Sequence, residues 1–494
     1  MADKDFEARH LETLDRDLGR FSNLEYATAD IGRSLIGPGI ALVFIVLAGF
    51  AALLFLGHQN NVLIVTIAAG FGAYMALNIG ANDVANNMGP AVGANALTMG
   101  GAIAIAAIFE SAGALIAGGD VVSTISKGII APSSMTDSAV FIWAMMSALL
   151  ASALWVNLAT LIGAPVSTTH SVVGGVMGAG IAAAGISAVS WGTMGAIAAS
   201  WVISPALGAL CAAGFLWFIK ARIIYRDDKI AAARIWVPVL VGIMAGTFAA
   251  YLALKGLNRV ITISMGTALL IGLVLGVLIW LAMIPVVRYQ SKGLENRNKS
   301  LKVLFGIPLV VSAALLSFAH GANDVANAVG PLAAIVSASA TGSFTEAVSI
   351  PFWVMLIGAF GISFGLFLFG PKLIRMVGSQ ITKLNPMRAY CVALSAAITV
   401  ILASWLGLPV SSTHIAVGAV FGVGFFREWD AERRLRMAHV AIPDRPRLAP
   451  VERRRRKLVR RSHVLTIGAA WIITVPAAAL LSSIIFLGIS LIAS

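Results

Sequence analysis

Charge is scarce in this chain. Only 12% of its 494 residues are Asp, Glu, Lys or Arg, about half the share of an ordinary soluble domain. With 59% hydrophobic residues and a mean hydropathy of +0.90, that scarcity excludes a soluble globule and leaves a polytopic membrane protein. Cysteine is nearly absent. Cys211 and Cys391 both fall in apolar stretches, which excludes a disulfide framework or a cysteine metal centre and leaves core packing. The start does not read as a cleaved leader: MADKDFEARHLETLDRDLGRF is polar and mixed in charge, without a short basic start followed by an apolar core. Residues 1–34 therefore read as a polar cytoplasmic tail. The short alternating segments of a membrane barrel are also lacking. Apolar runs near the span of about 20 residues recur instead, at 35–57, 98–119, 191–219, 235–255, 261–287, 351–370 and 464–493. The expected fold is all-α, with roughly 9–12 membrane segments.

The net charge of +13 is concentrated in loops. Lys220, Arg222, Arg226, Lys229 and Arg234 follow one apolar run; Arg288, Lys292, Arg297, Lys299 and Lys302 follow another; 427–461 holds ERRRRKLVRR. Basic clusters beside membrane ends mark the cytoplasmic side and meet anionic lipid, so no nucleic acid partner is implied.

The chain is written twice. GANDVANNMGP at Gly80–Pro90 returns as GANDVANAVGP at Gly321–Pro331, and PVSTTH at 165–170 returns as PVSSTH at 409–414. A tryptophan-to-proline helix follows each, SWVISP at 200–205 and AWIITVP at 470–476. Internal repeats of this kind mark secondary transporters. The division reads as an extra helix at 35–57, repeat 1 at 61–219, connecting helices and a cytoplasmic loop at 220–302, and repeat 2 at 303–494 with a basic insert at 427–462.

Loop charges orient the copies. In the second, Lys372, Arg375, Lys383 and Arg388 precede the PVSSTH region and the arginine-rich insert follows it. Both ends of 388–426 then belong inside, which makes that segment a re-entrant hairpin with Pro409 and Ser411 near its tip. The matching connections of the first copy, 120–138 and 181–192, carry Asp120 and Asp137 and a single basic residue, Lys127, so they belong outside. The two copies are thus expected to be inverted. A cytoplasmic N-terminus, a cytoplasmic 288–302 loop and a periplasmic or extracellular C-terminus follow, in a plasma or inner membrane.

Polar motifs at membrane depth need a cavity or protein around them. Gly80, Gly89, Pro90 and their counterparts Gly321, Gly330 and Pro331 read as helix breakers. Between them sit Asn82, Asp83 and Asn86, and Asn323, Asp324 and Asn327. An intramembrane carboxylate points to function, with interhelical hydrogen bonding as the plainer reading. In PVSTTH, proline suits a helix's first turn and Ser/Thr the cap positions. Each motif therefore starts a half-helix whose free N–H groups and positive dipole end, with the hydroxyls of Ser167, Thr168 and Thr169 or Ser411, Ser412 and Thr413, form an anion site. Ordinary capping is the alternative.

Ionised Asp83 and Asp324 beside an oxyanion would cost many kcal/mol, so cations must accompany it. Hard oxygen ligands suit Na⁺ on Asp83 and Asp324; protonation is the other solution, because burial disfavours the ionised carboxyl. Glu110, in IFESAG, has a rough counterpart near Gly358 and reads either as a coupling-site partner or as a helix-pairing group. His170 and His414 read as packing groups with a possible proton role. GISFG at 361–365 matches a nucleophile elbow and raises an intramembrane hydrolase centred on Ser363, but it lacks the strand-to-helix context.

With GANDVAN and PVS[ST]TH in duplicate, the chain resembles the PiT family of inorganic phosphate transporters over roughly residues 60–494. The resemblance implies inverted repeats, broken helices and hairpins, a homodimer, no enzymatic activity and no cofactor beyond a transported Na⁺ or H⁺, with inorganic phosphate as substrate. It places Asn82, Asp83, Asn323 and Asp324 in the cation and substrate region, with Glu110 where the family carries a glutamate. Ser167, Thr168, Thr169, Ser411, Ser412 and Thr413 fall at the phosphate site. Some relatives of this pattern carry sulfate, so a sulfate permease is the alternative within the class; hydrogen phosphate can donate a hydrogen bond where sulfate cannot. The expected topology is open to a cysteine accessibility scan: 120–138 should label from outside and 427–461 from inside, and labelling of both from one side would contradict the inversion.

Overall fold

A computed structural model describes residues 35–55, 61–131, 134–135, 137–162, 166–257, 261–342, 350–380, 384–441 and 461–493. The tail at 1–34, Pro165 and residues 442–460 of the basic insert lie outside them. Among the described residues there is no strand, only an isolated bridge between Ile130 and Val189. Hydrocarbon offers the backbone no partner, so each segment closes its own hydrogen bonds as helix. Among the described residues, eleven helical segments are long and apolar enough to cross a membrane, within the range the apolar runs suggest.

The first half holds α1 (Leu35–Phe55), α2 (Val62–Asn82), α3 (Val84–Gly93), α4 (Met99–Ala117), α5 (Ser138–Leu161), α6 (Thr168–Ala184) and α7 (Trp191–Ile219). A helical pair, α8 (Lys229–Lys255) and α9 (Met265–Gln290), connects it to α10 (Gly306–Asp324), α11 (Ala326–Thr341), α12 (Phe352–Gln380), α13 (Pro386–Trp405), α14 (Ser412–Ala441) and α15 (Arg461–Ala493). Capping side chains fix several starts: Asp137 Oδ1 accepts from Ala139 N at 3.1 Å, and Asn385 Oδ1 accepts from Arg388 N at 3.0 Å, with Pro386 in the first turn. In the span formed by α10 and α11, 89% of the apolar window is buried, against 17% for α9, so the motif helices form the core and α9 lies at the rim.

Lipid is as apolar as leucine, so close backbone approach at small residues assembles the bundle. A Cβ on Gly80 would lie 1.9 Å from the Ile362 carbonyl oxygen, and one on Gly321 would lie 2.1 Å from that of Glu110. A Cβ on Gly365 would likewise lie 2.0 Å from Leu77 O, and one on Gly113 2.0 Å from Phe318 O. Thus α2 packs on α12 as α10 packs on α4. Likewise Gly174 and Gly178 pack on Val475 and Ala479, and Gly418 and Gly422 on Pro205 and Ala209, so α6 meets α15 as α14 meets α7. Each half completes the other, and the contacts recur when the halves are exchanged.

This packing corrects two expectations. The expected breakers Gly80, Gly89, Pro90, Gly321, Gly330 and Pro331 all lie inside helices. The interruptions fall at Asp83 (φ −85°, ψ −35°) and Val325 (φ −56°, ψ −30°), one-residue kinks with right-handed backbone. Gly80 and Gly321 serve close approach instead, while Pro90 and Pro331 deprive the Asn86 and Asn327 carbonyls of their ladder donors. The counterpart of Glu110 is Ile362 rather than a residue near Gly358, because connections of unequal length let the glycine contacts set the register.

The basic clusters gather at one end. Lys220 Nζ lies 2.7 Å from Asp430 Oδ2, Arg234 Nε donates to Ser291 Oγ at 2.7 Å, and Lys229 N donates to Asn296 Oδ1 at 2.9 Å. Burial and the Asp430 carboxylate push the Tyr225 hydroxyl up to about 12, so it remains a donor to Asp430. Lys255 pairs with Asp120 beside the acidic connection.

Gly80→Val or Gly321→Val should lower thermal stability in detergent by at least about 1–3 kcal/mol of overpacking strain. Gly39→Ala and Gly100→Ala, with nothing within 4 Å of the added carbon, should melt with wild type. Equal melting of all four would remove close approach as the packing principle.

Candidate functional site

Two hairpin tips meet in the core. Helices α5 and α6 are joined through 162–167, and α13 and α14 through 406–411. Ser167 Oγ accepts from His170 N at 3.1 Å and Ser411 Oγ from His414 N at 3.2 Å, so serine caps each half-helix. Pro409 lies in the stretch before the cap, not in the first turn as its motif suggests, because the serine hydroxyl takes the position where a side-chain acceptor is needed. The N–H groups of Thr168, Thr169, Ser412 and Thr413 precede the helical ladder.

Asp83 joins the tips. Its Oδ2 accepts from Thr168 Oγ1 at 2.6 Å and its Oδ1 from Thr413 Oγ1 at 2.9 Å. Asp324 Oδ2 accepts from Ser412 Oγ at 2.9 Å. Asn86 Nδ2 donates to Thr413 Oγ1 at 2.9 Å, and Asn327 Nδ2 to Thr169 Oγ1 at 3.1 Å and Thr168 Oγ1 at 3.3 Å. Exchanging the halves turns Asp83–Thr168 into Asp324–Ser412 and Asn86–Thr413 into Asn327–Thr169. Asn82 and Asn323 stand further back and hold the hairpin arms: Asn82 Nδ2 donates to Thr160 Oγ1 at 2.8 Å, and Asn323 Nδ2 to Ser404 Oγ at 3.0 Å. Trp201 Nε1 and Thr124 Oγ1 fasten the second tip through the carbonyls of Pro409 (3.1 Å) and Gly407 (2.7 Å). Asp83, Asp324 and the six tip residues are each at most 2% exposed, so the site is closed to both faces.

The sequence reading missed His320. Its Nδ1 lies 2.5 Å from Glu110 Oε2, and its Nε2 lies 2.9 Å from Asp324 Oδ2 without hydrogen-bond alignment. Glu110 Oε1 accepts from Asn87 Nδ2 at 3.0 Å. Glu110 is therefore a site partner through His320 and a helix-pairing group through its backbone at Gly321. By packing, the equivalents of His320 and Glu110 are Ile79 and Ile362, both fully buried. The signal was present in the motif's flank, where FAHGAND differs from LNIGAND at the residue before glycine.

Cation-holding capacity follows from these atoms. Asp83, His320 and Asp324 each offer an atom within 4.8 Å of the other two. Asn82 Oδ1, Asn327 Oδ1 and Asp324 Oδ1 are buried acceptors without a hydrogen-bond partner among the described residues. Such oxygens are hard ligands, and they fit an alkali cation. The cluster of Asp83, Asp324 and Glu110 has one imidazole as its basic partner, with no Lys or Arg among its described contacts.

The other marked residues serve packing. His170 and His414 meet edge to face at 4.4 Å, and His170 lies 3.8 Å from Trp201. Ser363 Oγ lies 2.8 Å from Ser111 Oγ and donates to Ala107 O at 3.1 Å. Its flanking Gly361 and Gly365 abut α2 at Ala76 and Leu77, so GISFG is a helix contact rather than a nucleophile elbow.

Two hydroxyl-bearing helix starts closed over buried carboxylates in a helical membrane protein have the build of a transporter site. Residues 79–482 match the model of the phosphate transporter family, and the chain belongs to that family. It is 52% identical over 417 residues to a Helicobacter pylori protein, covering 83% of this chain and 78% of that one. It is 37% identical over 446 residues to one from Chlamydia trachomatis, covering 86% and 98%; both bear the name "Putative phosphate permease". Among solved structures, "The sodium-dependent phosphate transporter" aligns with a TM-score of 0.78 at 35% identity, covering 87% of this chain and all of that one.

Removing one member of a buried charged pair costs about 3–5 kcal/mol, whereas an apolar pair of similar volume is near neutral. Glu110→Ile and His320→Ile should each lower stability by that amount. The double variant, which copies Ile362 and Ile79, should recover most of the loss in a thermal-melt cycle; additive losses would show that the two groups are not coupled.

Proposed function

We propose that the protein is a symporter that carries inorganic phosphate with Na⁺ across the inner or plasma membrane by alternating access. One observation carries this reading: Asp83 accepts a hydroxyl from each hairpin tip. Each hydroxyl has one proton, so Thr168 and Thr413 cannot donate to Asp83 and to an anion together. A cation on the Asp83 and Asp324 oxygens replaces those donors and offsets the negative charge. The freed hydroxyls and first-turn N–H groups then face the phosphate, aided by both helix dipoles. Cation binding precedes anion binding in this scheme. With the cation on the aspartate oxygens, the unpartnered acceptors Asn82 Oδ1 and Asn327 Oδ1 suit a protonated oxyanion, which favours phosphate over sulfate. The neighbour's title names sodium dependence, which supports Na⁺ here.

Helix directions support an inverted arrangement with two re-entrant hairpins. The α14 contacts run in the same order as α7, Gly418 to Pro205 and then Gly422 to Ala209. Helix α7 begins at Trp191, shortly after α6 ends at Ala184, so it starts from the face that α6 reaches and crosses to the other. On this reading α6 and α14 leave the tips toward opposite faces. Moving the α14 tip breaks Thr413–Asp83 and Trp201–Pro409 and opens one side; moving the α6 tip breaks Thr168–Asp83 and opens the other. Coupling to protons is the second reading, favoured by the line of Glu110, His320 and Asp324.

Uptake of labelled phosphate into proteoliposomes separates the two. An imposed Na⁺ gradient should drive uptake at constant pH, excess sulfate should not compete, and Asp83→Asn should reduce uptake at least about tenfold, since hydrogen bonds to a charged group are worth about 1.5–3 kcal/mol each. Uptake driven by a pH gradient without Na⁺ would select the proton reading.

A further inference from the structure

A pocket of ≈ 460 Å³ lies at the basic end of the molecule, between the end of α7 and the outer run of α14. Trp217, Lys220 and Tyr225 line one wall; Trp429, Arg433 and Arg434 line the other. Arg433 lies 5.3 Å over the Trp429 ring and Arg434 lies 3.2 Å over the Tyr225 ring. A guanidinium stacked on an aromatic face keeps its in-plane N–H fork available for a bidentate oxyanion. Asp430 takes the Lys220 charge at 2.7 Å and approaches Arg434 Nε at 3.5 Å. The pocket therefore holds three cations against one carboxylate, an excess that suits an anion.

Level and exposure identify the anion. A helix rises about 1.5 Å per residue, which puts Phe426 about 21 Å beyond the Ser412 tip. With that tip at the midplane, as the symport reading has it, Phe426 stands past the hydrocarbon half-thickness of about 15 Å and among the headgroups. Arg433 and Arg434 follow about 10–12 Å further along the axis, and helical side chains lean toward the helix N-terminus, so their guanidiniums approach the headgroup layer from its aqueous side. Trp217 and Trp429 are 57% and 53% exposed, as expected of rings in an interfacial belt. A free phosphate ion gains nothing from these apolar walls, whereas a lipid uses both wall and cations.

We propose that this pocket binds the phosphate headgroup of an anionic glycerophospholipid, with Arg433 and Arg434 on the phosphate and Trp217 and Trp429 beside the glycerol and acyl region. Because α14 runs as one helix from Ser412 to Ala441, a lipid holding its outer run against α7 also sets the position of the Ser411–Thr413 tip.

Thermal-shift and native mass-spectrometry titrations of the purified full chain test this with phosphatidylglycerol, phosphatidylcholine and inorganic phosphate. Phosphatidylglycerol should stabilise and be retained. Arg433→Gln and Arg434→Gln should weaken its retention about tenfold or more, while Arg436→Gln, outside the pocket and paired with Glu432 at 2.8 Å, should not. Equal retention of phosphatidylcholine, retention unchanged in both pocket variants, or an Arg433-dependent shift with inorganic phosphate alone would overturn the proposal. These readouts need no transport, so they stand or fall apart from the symport reading.

Discussion

Asp83 and Asp324 place two carboxylates within a few ångströms of each other in a protein surrounded by hydrocarbon. Almost every feature of the core answers that constraint. The hairpin tips bring hydroxyl donors to them, Asn86 and Asn327 orient those hydroxyls, and Pro90 and Pro331 leave carbonyls without ladder donors nearby. Lysine or arginine at this point would neutralise the acids permanently and leave nothing for a mobile cation to do. On the symport reading proposed above, a site built on acids and neutral donors binds an anion only when a cation has come first, which is the physical content of coupling.

The two halves share this chemistry but not equally. Asp83–Thr168 exchanges with Asp324–Ser412, but Thr413 donates to Asp83 while its counterpart Thr169 donates to Val410 O, and the His320–Glu110 pair faces Ile79–Ile362 across the same relation. The asymmetry places a third acid and the imidazole on one side of the site. A transporter whose two faces differ in energy can favour one direction of loading, and this buried pair is a polar difference between its halves at the site itself.

Much of this was legible in the residues alone. The duplicated motifs, Ser or Thr at the cap positions, the marking of the hydroxyl tips and of Asp83 and Asp324 as site residues, and the clustering of basic residues in loops follow from composition and spacing. What escaped concerns contacts between distant segments. Gly80 reads as a breaker in one dimension and is a contact point in three, because only its neighbour's carbonyl at Ile362 reveals why a Cβ is excluded. The match of Glu110 to Ile362 depends on packing across loops of unequal length. His320 differs from its counterpart by one letter, and that letter gained meaning once Glu110 lay beside it.

The account stands most directly on the order of binding. Calorimetric titration of phosphate into the protein in nanodiscs, with Na⁺ or with choline as the only cation at equal ionic strength and pH, measures it without transport. The account predicts phosphate binding in Na⁺ and at least about a hundredfold weaker binding in choline, the factor that about 2.7 kcal/mol of coupling represents. Equal affinity in the two salts would contradict it.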